Sequence, residues 1–166
     1  MAFNSPESMK FGMTHDIQIR SMTEQDLDLV LNLERRCHSQ PWSREVFLQE
    51  LANEVAAVDL LLIDEVLAGY IVSWLVLGEL EIQNVVTAPE HRRRRVAKTL
   101  LRHVVTRARE RNASRALLEV RAGNEAAIAL YENCGFRINA RRKGYYHDRE
   151  TALLMSLDDL SGFDLT

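Results

Sequence analysis

Cysteine is scarce in this sequence: Cys37 and Cys134 lie far apart among 166 residues and outside any C-x-x-C pattern. A structural disulfide is therefore not predicted. No apolar run approaches the ~18 residues that span a bilayer, and residues 1–15 lack the apolar core of a signal peptide. The formal net charge of -3 gives no reason to expect an anionic membrane or nucleic acid as partner. These absences together predict a cytoplasmic protein.

The composition predicts one globular domain, with 46% hydrophobic and 27% charged residues. A chain of this length buries its own core without disulfides or metals. Hydrophobic spacing and turn residues predict the order β-α-α-β-β-β-α-β-α-β-β, with no linker and no repeat. The last two strands are expected over Phe136–Tyr146 and Thr151–Leu157. We predict a mixed α/β (α+β) domain over residues 16–160, a disordered or artefactual tail over 1–15, and a C-terminal tail over 161–166.

The most informative segment runs from Asn84 to Lys98, where a strand enters a turn and then a helix start. Backbone N–H groups and the positive end of the helix dipole make such a corner a natural anion site. Arg92, Arg93 and Arg94 add fixed positive charge, and a pyrophosphate would fit there. Taken alone, the run is more typical of a solvated basic helix start. No aromatic residues interleave it, so nucleic acid is not the expected partner.

This segment resembles motif A of the GNAT superfamily of N-acetyltransferases, in which Arg/Gln-x-x-Gly-x-Gly/Ala binds the acetyl-CoA pyrophosphate. The stretch Leu117–Phe136, together with Pro41-Trp42-Ser43 and Arg142–Tyr146, is similar to the RimI branch, the bacterial ribosomal-protein alanine N-acetyltransferases. The resemblance covers residues 17–157. It implies the GNAT fold, a twisted, mostly antiparallel sheet of about seven strands flanked by about four helices.

The same resemblance implies acetyl-CoA as co-substrate and assigns roles to individual residues. Glu119 is the implied general base, acting directly or through a water, and Tyr131 the implied general acid toward the CoA sulfur. A phenol of ordinary pKa near ~10 is nearly matched to an alkyl thiol. The alternatives are a surface glutamate and a packing tyrosine. The implied cofactor-binding residues are Val85, Val86, Thr87, Arg93, Arg94, Arg95, Val96, Ala97, Lys98 and Asn124.

Three of these cofactor-binding residues need a separate comment: Val86 for its expected role, Asn124 for its alternative role and Arg95 for its departure from the family pattern. The Val86 amide is expected to polarise the acetyl carbonyl, with pantetheine lying along residues 85–87 as an added strand. Asn124 is equally explained as a helix N-cap. Arg95 stands where the family's first motif A glycine normally sits. Its Cβ would crowd the cofactor and weaken binding, or its side chain would point outward and add a charge.

The resemblance implies that the acceptor is the N-terminal alanine of a small-subunit ribosomal protein. At pH 7 deprotonation costs an α-amine roughly 1 kcal/mol and a lysine roughly 4.6 kcal/mol, which favours an N-terminal amine as acceptor without excluding lysine. Glu79, Glu81, Tyr145 and Tyr146 are candidates to hold a basic N-terminal peptide, since the resemblance implies an acceptor that begins Ala-Arg. The alternative is that they are exposed acids and strand aromatics without this role. No metal is predicted, because His91, His103 and His147 lack ligand spacing.

Two alternatives remain open from the sequence. One keeps the enzyme but changes the acceptor to small amines, antibiotics or protein lysines. The other is a non-catalytic module that senses acetyl-CoA or docks on RNA through residues 92–95. A monomer or weak dimer is expected.

Overall fold

The structure, a computed structural model, describes residues 14–163. Within that range the strands and helices follow the predicted order. They are β1 Ile17–Ser21, α1 Leu27–Cys37, α2 Arg44–Ala52, β2 Ala56–Ile63, β3 Val66–Val76, β4 Glu79–Thr87, α3 Val96–Glu110, β5 Arg115–Arg121, α4 Glu125–Asn133, β6 Arg137–Arg142 and β7 Ala152–Leu157. None of the helices between residues 14 and 163 combines the length and apolarity that a bilayer crossing requires.

The helix ends are set by local side-chain contacts. Asp26 accepts a hydrogen bond from the Thr23 backbone N–H at 2.9 Å, and a short 3-10 turn there precedes α1. At α4 the Asn124 side chain accepts from the Ala127 backbone N–H at 3.2 Å. Gly135 then takes a φ of +91°, a conformation that glycine adopts without strain, and the helix ends before it.

The strands form one sheet in the order β1-β2-β3-β4-β5-β7-β6. Every neighbouring pair is antiparallel except β4 and β5, which run parallel. The predicted mostly antiparallel seven-stranded sheet is therefore confirmed. The parallel pair is short, because its register covers only Glu79–Ile82 against Arg115–Leu118.

Two apolar clusters cover the opposite faces of this sheet. Side chains alternate between faces along a strand, so Leu60 and Tyr70 pack with α1 and α2, whereas Leu61 and Ile71 pack with α3. The α3 cluster also takes in Tyr131 and residues of β5 and β7. Burial of both faces explains the nearly continuous apolar runs of β2 and β3.

Two predicted boundaries are wrong. The strand expected to reach Tyr146 ends at Arg142, and residues 143–150 form a loop in which Gly144 has a φ of +64°. Arg121 holds this loop by donating to Glu150 at 2.8 Å. The domain also continues past residue 160, because Phe163 is 3% exposed and belongs to the α3 cluster. The predicted N-terminal tail lies outside the described residues up to residue 13.

Candidate active site

The site begins where β4 and β5 separate. Their pairing stops at Ile82 and Leu118, so the remainder of β4, residues 83–87, is not paired with β5. A β-bulge against β3 at the same place inserts Gln83 between the paired residues Ile82 and Asn84. The unpaired edge of β4 is therefore available to an extended ligand, which would add to the sheet as a further strand.

A cavity of about 760 Å³ lies along this edge and extends to the start of α3. The predicted cofactor residues that line it are Val85, Val86, Thr87, Arg93, Arg95, Val96, Ala97, Lys98 and Asn124. Arg92, Cys37 and His38 are lining residues that were not predicted. The charged residues on this wall are Arg92, Arg93, Arg95 and Lys98, without an aspartate or glutamate in the described lining. Such a wall suits a polyanion.

Three of the four consecutive arginines line the cavity, and two of these three have an unusual backbone conformation. Arg93 and Arg95 have φ values of +60° and +61°, in the left-handed region. Arg94 does not line the cavity, contrary to its assignment, and donates from Nη1 toward His91 Nδ1 at 3.1 Å. Arg95 is the N-cap of α3 and takes the left-handed conformation for which a glycine would be better suited.

Tyr131 lies between this cavity and a second one. The second cavity, of about 300 Å³, shares His38, Val85, Asn124 and Tyr131 with the first. Tyr131 is 8% exposed, and burial raises its pKa to about 12. The expectation of an ordinary phenol pKa is thus wrong, because the apolar surroundings disfavour the phenolate. The phenol stays protonated at neutral pH.

Glu119 lines the second cavity, on β5 across from the unpaired edge of β4. Its side chain is 35% exposed, and Oε1 accepts from Arg142 Nη1 at 3.1 Å. Glu119 and Tyr131, predicted as base and acid, therefore line the same cavity. The Glu119–Arg142 ion pair between β5 and β6 was not predicted, because the two residues are 23 positions apart.

A groove of about 550 Å³ continues from Glu119 between β4 and the 143–150 loop. Glu81, Tyr145 and Tyr146 line it, as the acceptor prediction requires. Glu79 does not, because it pairs with Arg115 at 2.5 Å at the other end of β4. The tyrosine rings meet edge to face with centroids 5.2 Å apart. The groove thus has an acidic residue on the β4 side and aromatic rings on the loop side, and Arg142 also lines it.

A buried carboxylate, Glu34, also lies behind the site and was missed from the sequence. It is 1% exposed and accepts hydrogen bonds from the Tyr70 hydroxyl and, at 2.9 Å, from the Trp42 backbone N–H. Asn84 Nδ2 donates at 3.4 Å, and His38 Nε2 lies 3.6 Å away. The i, i+4 spacing of Glu34 and His38 at the end of α1 was the available signal. Among residues 14–163, no group of three or more potential ligands has the arrangement of a metal site.

Comparison with known proteins agrees with this geometry. The family model described as "Acetyltransferase (GNAT) family" matches residues 27–136. A putative ribosomal protein bS18-alanine N-acetyltransferase of Bacillus subtilis is 36% identical over 139 residues, 82% of this chain and 92% of that protein. The Escherichia coli K12 ribosomal protein bS18-alanine N-acetyltransferase is 32% identical over 142 residues, 84% of this chain and 95% of its own length.

The crystal structure of the ribosomal-protein-S18-alanine N-acetyltransferase from Escherichia coli has the same fold. It superposes with a TM-score of 0.80 at 33% identity, over 86% of this chain and 93% of that one. These matches identify the family of the chain, and the seven-stranded sheet and the cation-lined cavity at the start of α3 agree with them. The chain belongs to the acetyltransferase (GNAT) family and, within it, is similar to the RimI-type ribosomal-protein alanine N-acetyltransferases.

Proposed function

We propose that the chain transfers the acetyl group of acetyl-CoA to the N-terminal amine of a protein, and that the acceptor is the N-terminal alanine of a small-subunit ribosomal protein. The observation that carries the proposal is the meeting of two cavities at Tyr131. One has a cationic wall that suits a polyanion, and the other contains Glu119. The names of the relatives from Bacillus subtilis and Escherichia coli support the same acceptor.

The larger cavity fits acetyl-CoA by shape and charge. The diphosphate would bind at the positive end of α3, between Arg93, Arg95 and Lys98. The pantetheine arm would lie along residues 85–87, where β4 has no β5 partner. That placement directs the thioester toward Tyr131, with the Val86 backbone N–H as the proposed donor to the acetyl carbonyl.

Glu119 and Tyr131 are proposed to manage the protons of the reaction. The acceptor reaches the site as an ammonium and leaves as an amide, so it loses two protons, and the departing thiolate takes one. Glu119, exposed to the second cavity, receives a proton from the amine directly or through a water. Tyr131 donates to the sulfur. The burial that raises the Tyr131 pKa also disfavours a thiolate beside it, so donor and acceptor are shifted in the same direction.

The groove beyond Glu119 supports a basic acceptor peptide. Glu81 offers a carboxylate to a side chain such as arginine at the second position, and the two tyrosines offer aromatic surface to the peptide. Arg142 already neutralises part of the charge of Glu119, so Glu81 is the groove acid left for a basic side chain. These features match an Ala-Arg start.

The test is mass spectrometry of three acceptors incubated with acetyl-CoA. They are a peptide that begins Ala-Arg, the same peptide with its N-terminus blocked and an internal lysine, and a polyamine. The proposal expects one added acetyl group on the first peptide, with stoichiometric thiol release, and none on the blocked peptide. Acetylation of the lysine or the polyamine instead would move the protein to another acceptor class.

A module that only binds acetyl-CoA or RNA would give a different result. It would release no thiol with any amine, and RNA binding through residues 92–95 would weaken steeply with salt. Glu119→Gln, assayed in parallel, controls for uncatalysed acetylation of the peptide. Thiol release that is the same with wild type and with this variant would refute the proposed roles.

A further inference from the structure

His38 lies at the point where the cofactor and acceptor cavities meet, and none of the roles proposed above uses it. It lines both cavities, together with Val85, Asn124 and Tyr131. Its side chain is 39% exposed, so the ring is accessible to a ligand in either cavity. The backbone of His38 is fixed as the C-cap of α1, because its N–H donates to the Glu34 carbonyl oxygen at 3.0 Å.

The ring of His38 lies beside the carboxylate of Glu34. Nε2 lies 3.6 Å from Glu34 Oε2, and Glu34 is itself held by Tyr70, Trp42 and Asn84. An ionised carboxylate only accepts hydrogen bonds, so it favours a proton on Nε2. The remaining ring nitrogen, Nδ1, then carries a lone pair.

A buried carboxylate is expensive unless its partners compensate for the lost hydration. Glu34 is almost inaccessible to solvent, yet two of its four contacts, His38 and Asn84, are residues that line the second cavity. The network therefore links the apolar cluster beneath α1 to the wall of the cavity. Glu34 is therefore positioned to support the side chains of His38 and Asn84 in the cavity wall.

We propose that His38 contacts the N-terminal amine of the acceptor, with Glu34 as the positioning residue that holds the imidazole ring. Nδ1 accepts a hydrogen bond from one amine N–H, on the side of the cavity opposite Glu119. The amine lone pair is thereby left free to face the acetyl carbon. The inference rests on the proposed function, because it requires a primary amine in the second cavity.

A thermodynamic cycle between protein and ligand tests the contact. The two ligands are the Ala-Arg peptide and its des-amino analogue, in which hydrogen replaces the N-terminal amine. Their dissociation constants are measured by calorimetry with CoA present, at pH 8.5, where most of the α-amine is neutral. The proteins are wild type and His38→Ala. The control is His15→Ala, which removes a surface histidine that precedes β1 and pairs with Asp64 at 2.6 Å.

In wild type and in His15→Ala, loss of the amine is expected to weaken binding by the same factor, to which Glu119 and His38 both contribute. In His38→Ala this factor is expected to be about three- to ten-fold smaller than in wild type, as for the loss of one net hydrogen bond. A merely structural role for His38 would weaken both peptides equally and leave the ratio unchanged. An unchanged ratio therefore overturns the proposal.

Two further measurements separate the possible failures. Glu34→Gln, checked for folding by its thermal transition, is expected to keep CoA affinity but to lower the ratio between the peptides. A wild-type ratio in Glu34→Gln would refute the positioning role of Glu34. If wild type binds the Ala-Arg peptide but acetylates no peptide, the proposed function fails, and the His38 assignment fails with it. If wild type acetylates the peptide without the predicted coupling, only the His38 assignment fails.

Discussion

Replacing Arg95 by glycine and by alanine separates two effects of the arginine at the start of α3. Arg95 has a φ of +61° and lines the cation-rich cavity. Alanine keeps the left-handed strain but removes the charge. Glycine removes both the strain and the charge. The pair of variants therefore measures the conformational effect with charge held constant.

The expected stability difference follows from the backbone. A left-handed conformation costs an L-residue about 1–2 kcal/mol, which glycine avoids. Glycine also makes the unfolded chain more flexible, and this opposes the gain by about 0.4–1 kcal/mol. Arg95→Gly should therefore be about 1 kcal/mol more stable than Arg95→Ala. For a domain of this size, that difference is about 2–4 °C in Tm by calorimetry. Equal transitions for the two variants would refute the argument from strain.

Cofactor affinity gives the second measurement. Loss of one exposed charge is expected to weaken CoA binding in Arg95→Ala by about two- to five-fold, and less at high salt. If the Cβ crowds the diphosphate, Arg95→Gly should bind CoA more tightly than Arg95→Ala at every salt concentration. Titration calorimetry at two salt concentrations distinguishes these outcomes. A glycine variant that binds no more tightly than the alanine variant removes the crowding argument.

Three further predictions concern protons. Glu119→Gln should lower kcat most near neutral pH and less at high pH, where the ammonium group of the acceptor loses its proton to solvent. A ratio of kcat values between variant and wild type that does not change with pH would contradict the role of base. Tyr131→Phe should lower kcat by about 10²-fold or more with CoA affinity within two-fold, measured by thiol release and calorimetry; unchanged turnover removes it as the acid. Hydrogen bonds from Arg20 lower the pKa of Asp26 to about 2, so the carboxylate stabilises the fold above pH ~4. This contribution, on the order of 2 kcal/mol, is lost as the pH falls from ~4 to ~2, and urea titrations should show a smaller loss for Asp26→Asn.

Most of the fold follows from local patterns in the sequence. The alternation in β1, the apolar stripe of α3 and the Asn124 cap each depend on neighbours within a few residues, and their elements are confirmed. The closing hairpin was less accurate. Its loop is held by Arg121, whose pairing with Glu150 spans 29 positions that no local pattern reports.

The site was predicted less completely, for physical reasons. Glu119 and Tyr131 follow from the family resemblance, and their roles remain proposals. Four adjacent arginines have the same chemistry, so the sequence alone does not tell that Arg94 contacts His91 while the other three line the cavity. The environment of Glu34 in α1 depends on Tyr70 of β3, which is 36 positions away in the sequence.

The short parallel contact between β4 and β5 has a mechanical consequence. The arginine-rich loop of residues 92–95 follows β4, and His38 lies on the β1–β4 side of the sheet, whereas Glu119 and Tyr131 lie on the side that contains β5, β7 and β6. Direct strand pairing joins the two parts through four residue pairs. Acetyl-CoA would span the gap beyond them. Alignment of the proposed reacting groups thus depends on that contact and on the α3 cluster, which packs against both parts. We expect substitutions at Leu80 or Ala116, which lie in both the contact and the cluster, to alter turnover from a distance.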